Sequence, residues 1–339
     1  MTSKYSHILW PSVGFAVAAF CVWALVRELR SLSPADVLTS LAHVRPLHWV
    51  GAFGGVVLAY VALAGYDRIA LQHINRQLSW PFIALASFVS YALSHNIGAA
   101  MFSGAVVRYR IYSTKGLSVA EVGVLVAFCA FTFSLGVTML GGFLLIIHPE
   151  LAHRFIQIPE PLARLAGGAM LGGVVLYVLG SLLHLKPLVI GGFSIFYPRP
   201  EIVARQLVIG PMELIGAASI IYFCLPETGN PGFLIVLGVF LASFGLAIFS
   251  HAPGGLGVLE LLFVSGLKDV PAADVLAALI VFRLFYLVLP LAVSFVAVLL
   301  FEQHQMALRR REAAASKVVE TGSPPTALRV VPPPPLEEG

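Results

Sequence analysis

Charge is what this chain has least of. Only 11% of its 339 residues are Asp, Glu, Lys or Arg, while 58% are hydrophobic. A soluble domain carries about a quarter charged residues, so a water-facing globule of this size is excluded. Cysteine is scarce too. Cys21, Cys129 and Cys224 stand alone inside apolar segments, which excludes a disulfide scaffold and any Cys-based metal site. No metal and no other cofactor is expected. The chain also lacks a basic stripe: its 21 Lys and Arg and net charge of +4 are scattered through loops. That argues against a nucleic-acid partner and for topology signals and contact with anionic headgroups. No phosphate-cradling P-loop is visible, so passive or ion-coupled work is expected rather than ATP-driven work.

What is present is long apolar sequence, with a mean hydropathy of +0.90. Runs fall at about 9–26, 48–65, 81–102, 117–147, 162–185, 202–224, 232–250 and 272–300. Each approaches the ~20 residues needed to cross a bilayer as a helix. The expectation is an all-α polytopic membrane protein with about eight transmembrane helices. The first run lacks a convincing cleavage site and reads as a retained helix. Trp10, Trp49 and Trp80 open runs and Trp23 closes one, as interfacial tryptophan does. Residues 1–301 are expected to form the integral membrane domain. Residues 302–339 are basic and Pro-rich and are expected to be a disordered cytoplasmic tail. With eight simple spans the basic residues divide ten to nine between the two sides, which is no bias. Both termini are assigned to the cytoplasm because Arg309, Arg310 and Arg311 follow the last span directly.

Two stretches are related, at 94–118 and 250–275. One begins SHNIG at 94–98 and the other SHAPGGLG at 250–257, each after an apolar run. Each leads through a polar stretch to a new run, VAEV at 119–122 and AADV at 272–275. The offsets are 156 residues for the Ser-His pair and 153 for the acidic residue. Gly98, Gly104, Pro253, Gly254, Gly255 and Gly257 mark hinges where a helix breaks. The reading is two Gly-rich, broken or re-entrant hairpins in two related halves. Irregular backbone at membrane depth belongs where protein or a polar cavity covers it, and paired breaks point to a transporter pathway. Four simple spans between the motifs would make the repeats parallel and an odd number would invert them. The sequence leaves that open, and an ordinary kink and loop remains the alternative.

Ionisable groups inside apolar runs are costly, roughly 2.5–3.5 kcal/mol at a helix centre. His95 and Asn96 sit at the first break, His251 at the second, and Glu260 just beyond it. Glu213 and Arg283 lie within later runs. They are expected to line a polar cavity, or else Glu213 or Glu260 simply neutralises Arg283. Arg108, Tyr109 and Arg110 follow the first break at headgroup depth, where the planar guanidinium suits a phospholipid phosphate, an ordinary interfacial anchor being the alternative. Asp67 and Arg68 are expected to pair locally, and Arg205 to snorkel to the interface.

The segments SYALSHNIGAAMFSGAVVRYRIYSTKGLS at 90–118 and HAPGGLGVLE at 251–260 resemble the lysylphosphatidylglycerol synthase transmembrane region family. The resemblance covers roughly residues 10–300. It implies the flippase-like membrane part of the multiple peptide resistance factor, found with a soluble synthase domain or alone in bacterial inner-membrane proteins. After residue 301 only the short tail follows, so the aminoacyl-transferase domain is expected to be absent and the chain not to be an enzyme. The implied function is lipid translocation of the flippase or scramblase kind. Its partners would be a membrane lipid and lipid-biosynthesis enzymes. Some stand-alone relatives accompany hopanoid synthesis, which makes a polycyclic lipid a second substrate class. Two rivals stand beside this reading. One is a membrane-embedded enzyme with His95 or His251 as general base and Glu260 as acid. The other is a non-transporting partner of lipid-modifying enzymes.

Overall fold

The computed structural model describes residues 34–42, 44–97, 100–184, 188–190, 193–195, 197–250 and 257–299. The expected first run at 9–26 and the tail at 302–339 lie outside these residues. Among the described residues the chain is helical apart from one two-stranded ribbon. In order come α1 (Pro34–Ala42), α2 (Pro46–His73), α3 (Trp80–Ile97), α4 (Ala100–Tyr112), α5 (Val119–Ile147), α6 (Glu150–Ile156) and α7 (Glu160–Leu182). Strands β1 (Leu188–Ile190) and β2 (Phe193–Ile195) pair antiparallel. Then follow α8 (Pro200–Cys224), α9 (Phe233–Ser250), α10 (Val258–Gly266) and α11 (Ala272–Leu299). Seven of the eight expected apolar runs coincide with described helices. Five helices are long and apolar enough to cross a membrane, namely α2, α5, α7, α8 and α11. Many of their apolar side chains, such as Val57, Leu165, Leu176, Val208 and Val293, face outward, which suits a hydrocarbon surround.

Local sequence sets the ends. Pro46 and Pro200 open α2 and α8 at the first helical position, where a missing N–H costs nothing. At α5, Ser118 and Glu121 form a reciprocal capping box. Gly257 opens α10 with φ of 79°, a left-handed value that glycine adopts without strain.

Contacts fix how the helices run. Helices α2 and α8 are antiparallel: Gly51 faces Phe223, Gly55 faces Gly216, and Gly65 faces Ile209. A Cβ on Gly55 would lie 2.7 Å from the Gly216 carbonyl oxygen, so the two backbones touch as small-residue interfaces in membranes do. Helix α5 runs parallel to α8, with Gly136 against Gly210, and α7 returns alongside α5, with Gly167 against Gly142. One end of the bundle therefore carries Arg68, the start of α5 and the start of α8. The other carries Glu227, bound by Arg45 at the start of α2.

Helices α3 and α4 form an antiparallel pair at the Arg68 end. Phe82, near the start of α3, packs on Tyr112 at the end of α4, and the Lys115 amine sits over the Phe82 ring. Helices α9 and α10 form a second pair at the Glu227 end. Gly266, closing α10, approaches Val239 in α9, and its carbonyl accepts from Arg154. The two pairs thus open from opposite ends of the bundle. Each has its own core against α2 and α8. Tyr66, Ile69, Tyr112 and Leu125 belong to the first, and Leu214, Phe240, Phe263 and Phe282 to the second.

Candidate polar centre of the membrane domain

The centre is built on a disturbed stretch of α11. Residues Arg283–Val288 are π-helical, a wide turn found disproportionately at functional sites. The cause is in the sequence. Pro290 has no N–H to give the carbonyl four residues back, and its ring crowds that carbonyl. That carbonyl belongs to Tyr286, and it accepts instead from the Tyr60 hydroxyl of α2 at 3.0 Å. The next carbonyl, of Leu287, accepts from the Asn96 amide at 3.1 Å. Side chains from two other helices therefore complete the backbone bonding of the wide turn.

On this stretch the two helix pairs meet. From α3, His95 stacks on the Tyr286 ring at 5.4 Å between centroids. From α10, Glu260 binds Arg283 at 2.6 Å, while its other oxygen accepts the Gly257 backbone N–H at 2.8 Å. The pair is partly open, with side chains 17% and 13% exposed for Arg283 and Glu260. From α8, Glu213 is buried and accepts from the Tyr286 hydroxyl. Its Oε2 and the His95 Nδ1 are buried without a hydrogen-bond partner among the described residues. Buried polar atoms normally have partners, so such exceptions mark a place to look for function.

The first break carries a separate ion pair. Arg108 of α4 binds Asp67 of α2 at 3.2 Å, with side chains 5% and 0% exposed. Asp67 also accepts from Tyr112 at 2.8 Å and from the Cys129 thiol. The Arg108 guanidinium lies 4.3 Å from the Tyr91 ring centroid, and Tyr91 in turn contacts His95. A run of rings thus joins the two ion pairs through Arg108, Tyr91, His95 and Tyr286.

The structure brings His95, Asn96, Glu213, Glu260 and Arg283 onto one stretch of α11. It does not bring Arg108 to the headgroup surface. That expectation is corrected, because Asp67 draws the guanidinium into the interior. The expected local pairing of Asp67 with Arg68 is corrected for the same reason, and Arg68 packs over Trp80 instead. Of the two acids weighed for Arg283, Glu260 is the partner and Glu213 turns to Tyr286. Tyr109 and Arg110 are exposed. Gly104 gives α3 and α4 their close approach, a Cβ there lying 3.3 Å from the Ser94 Cβ. Gly98, His251, Pro253, Gly254 and Gly255 lie outside the described residues. Cys129 and Cys224 are buried free thiols. Sequence reasoning gave Asp67 the wrong partner and missed Tyr60, Tyr91, Tyr112 and Tyr286. The signals were the i, i+4 spacing of Arg108 and Tyr112, and Pro290 four residues after Tyr286.

Helices of this length and hydropathy, with a polar centre enclosed among them, define a multi-pass α-helical membrane protein. The chain belongs to the family described as the lysylphosphatidylglycerol synthase TM region, matched over residues 12–294. It is 28% identical over 313 residues to an uncharacterized protein of Synechocystis, slr0712, covering 91% of this chain and 96% of that one. It is 26% identical over 263 residues to the inner membrane protein YbhN of Escherichia coli K12, covering 77% and 82%. It is also 25% identical over 304 residues to the phosphatidylglycerol lysyltransferase of Staphylococcus aureus strain COL. That match takes in 87% of this chain but 34% of the lysyltransferase.

Proposed function

We propose that this protein moves a phospholipid or a related lipid across a bacterial inner membrane, without itself modifying it. The observation that carries the reading is the meeting of the two antiparallel helix pairs on Arg283–Val288, with Glu260 and Arg283 partly open beside it. A lipid headgroup needs polar contacts at a depth where hydrocarbon offers none. This pair supplies one cation and one anion there, leaving acyl chains outside in lipid. The phosphatidylglycerol in the name of the staphylococcal relative supports a phospholipid as cargo, and the name of the Escherichia coli relative supports an inner-membrane location.

The pairs α3/α4 and α9/α10 are read as re-entrant hairpins entering from opposite faces. Three crossings, α5, α7 and α8, separate them, so the two halves are inverted rather than parallel. Among the described residues this replaces seven simple spans with five crossings, α2, α5, α7, α8 and α11, and it redistributes the charges. Among the described residues, Arg68, Arg76, Arg108, Arg110, Lys115, Arg199 and Arg205 fall at one end, against Arg45, Arg154, Arg164 and Lys268 at the other. By the positive-inside rule the Arg68 end faces the cytoplasm. Inverted halves meeting at mid-depth suit alternating access to a fixed site.

The test is a vesicle assay. Purified protein in liposomes with fluorescent phosphatidylglycerol should expose inner-leaflet label to a membrane-impermeant quencher. Glu260→Gln and Arg283→Ala should slow that exposure by about tenfold, a loss of the size that removing a key polar contact produces. Equal rates in the variants and in protein-free vesicles would overturn the reading. Chemical change of the lipid, read by mass spectrometry, would favour the enzyme instead.

A further inference from the structure

A second feature lies at the Arg68 end, on the outer side of the seam between α2 and α8. It is a half-open cleft of about 340 Å³, with Val61, Arg68, Trp80, Arg205, Ile209 and Met212 in its lining. The volume falls within the range of about 300–1,000 Å³ usual for ligand pockets. Its chemistry is divided by depth. At the mouth Arg68 lies with its guanidinium 5.0 Å from the Trp80 ring centroid, and Arg205 donates to the Gln72 side-chain oxygen. Below them the walls are aliphatic, and Gly65 lets Ile209 close the floor, since a Cβ there would sit 2.9 Å from Ile209 Cγ2.

We propose that this cleft docks one anionic phospholipid, its phosphate between Arg68 and Arg205 and the start of an acyl chain along Val61, Ile209 and Met212. Three observations support that occupant. No Asp or Glu lines the cleft. The nearest acid in sequence, Asp67, is buried and committed to Arg108, Tyr112 and Cys129. Neither arginine is paired with a carboxylate among the described residues, yet each is already oriented, one by an indole face and the other by an amide. A planar guanidinium held by a ring keeps its N–H edge for a phosphate oxygen. The spacing also fits. Seven residues separate Val61 from Arg68 on α2, about 10 Å at 1.5 Å per residue. That matches the step from the phosphate plane into the hydrocarbon layer, and an indole belongs at that level. A free phosphate would leave the aliphatic wall uncovered. The docking stands whether or not the lipid is afterwards moved, because the cleft and the polar centre share no residue.

The experiment uses the full chain in detergent, with native mass spectrometry counting bound lipid and three probes: phosphatidylglycerol, phosphatidylcholine and inorganic phosphate. Wild type should retain phosphatidylglycerol about tenfold better than phosphatidylcholine, as one well-made charged contact allows. The Arg68→Gln/Arg205→Gln variant should lose that preference, and Arg68→Lys/Arg205→Lys should keep part of it. Arg68 and Arg205 are both exposed, so the variants should elute as wild type does. A photoactivatable phosphatidylglycerol should label peptides from α2 and α8 in wild type, and should not in the Gln variant. Equal retention of both lipids, an unchanged preference in the Gln variant, or displacement of the lipid by millimolar phosphate would each overturn the proposal.

Discussion

Two ion pairs tie the two helix pairs to the crossing helices, and they are made differently. Arg108 on α4 reaches Asp67 on α2 and is sealed by Tyr91, Tyr112 and Cys129. Glu260 on α10 reaches Arg283 on α11, and that pair stays partly open beside a π-helical turn. The first has every strong acceptor direction filled. In the second, Glu260 is shared with the Gly257 amide, and a carboxylate oxygen and a histidine nitrogen nearby lack partners among the described residues. The same chemistry therefore serves two ends. A sealed pair holds an element in place, while a partly exposed one leaves its charge accessible, as the proposed passage of a headgroup requires.

The largest expected effect breaks the sealed pair. Asp67→Asn leaves the Arg108 guanidinium buried without a counter-charge, at a cost of about 3–5 kcal/mol. Thermal unfolding in detergent should show a large drop, with much of the protein aggregated on size exclusion. Asp67→Leu combined with Arg108→Met should recover more than half of it, since apolar replacement of a buried pair is close to neutral. If Asp67→Asn unfolds like wild type, the pair is not structural and the contrast fails.

Next comes the open pair. Glu260→Gln weakens a charge-assisted bond worth about 1.5–3 kcal/mol and leaves one acceptor oxygen where Arg283 and the Gly257 N–H each had their own. Its melting temperature should fall less than that of Asp67→Asn, while lipid movement in vesicles should fall more than for any variant of similar stability. A variant equally impaired in both would put Glu260 in the same class as Asp67.

Much of the contrast was legible in the sequence and part of it was not. Apolar length located α2, α5, α7, α8 and α11, because a span of hydrocarbon dictates composition over about 20 residues. The repeated Ser-His motif pointed to the ends of α3 and α9, since Gly and Pro are strong local punctuation. Pairing was a different matter. Arg108 and Asp67 are 41 residues apart and on different helices, and no local rule selects Asp67 over Glu121 as the partner. Direction was lost for the same reason. Whether a broken helix crosses or turns back is decided by contacts such as Phe82 with Tyr112, which sequence spacing does not contain. The ten-to-nine division of charge followed from assuming that each run crosses.

The smallest effect asks whether the wide turn itself is what keeps the second pair open. If Pro290 orphans the Tyr286 carbonyl, the Tyr60 hydroxyl is its substitute donor, and Tyr60→Phe should cost about 0.5–1.5 kcal/mol, the net value of one such bond. Pro290→Ala restores an N–H within the helix, so in that background Tyr60→Phe should cost almost nothing. The double-mutant cycle should accordingly show a coupling near the whole single-variant effect. Pro290→Ala should also be more stable than wild type, since proline inside a helix is unfavourable by about 3 kcal/mol. Yet it should move lipid more slowly. Closing the turn back to regular α-helix should shift Arg283 relative to Glu260, converting the wide turn into an ordinary and better-bonded helix. A Pro290→Ala protein that gained stability and kept full activity would show that the pair's openness, not the π-helical turn, carries the difference between the two regions.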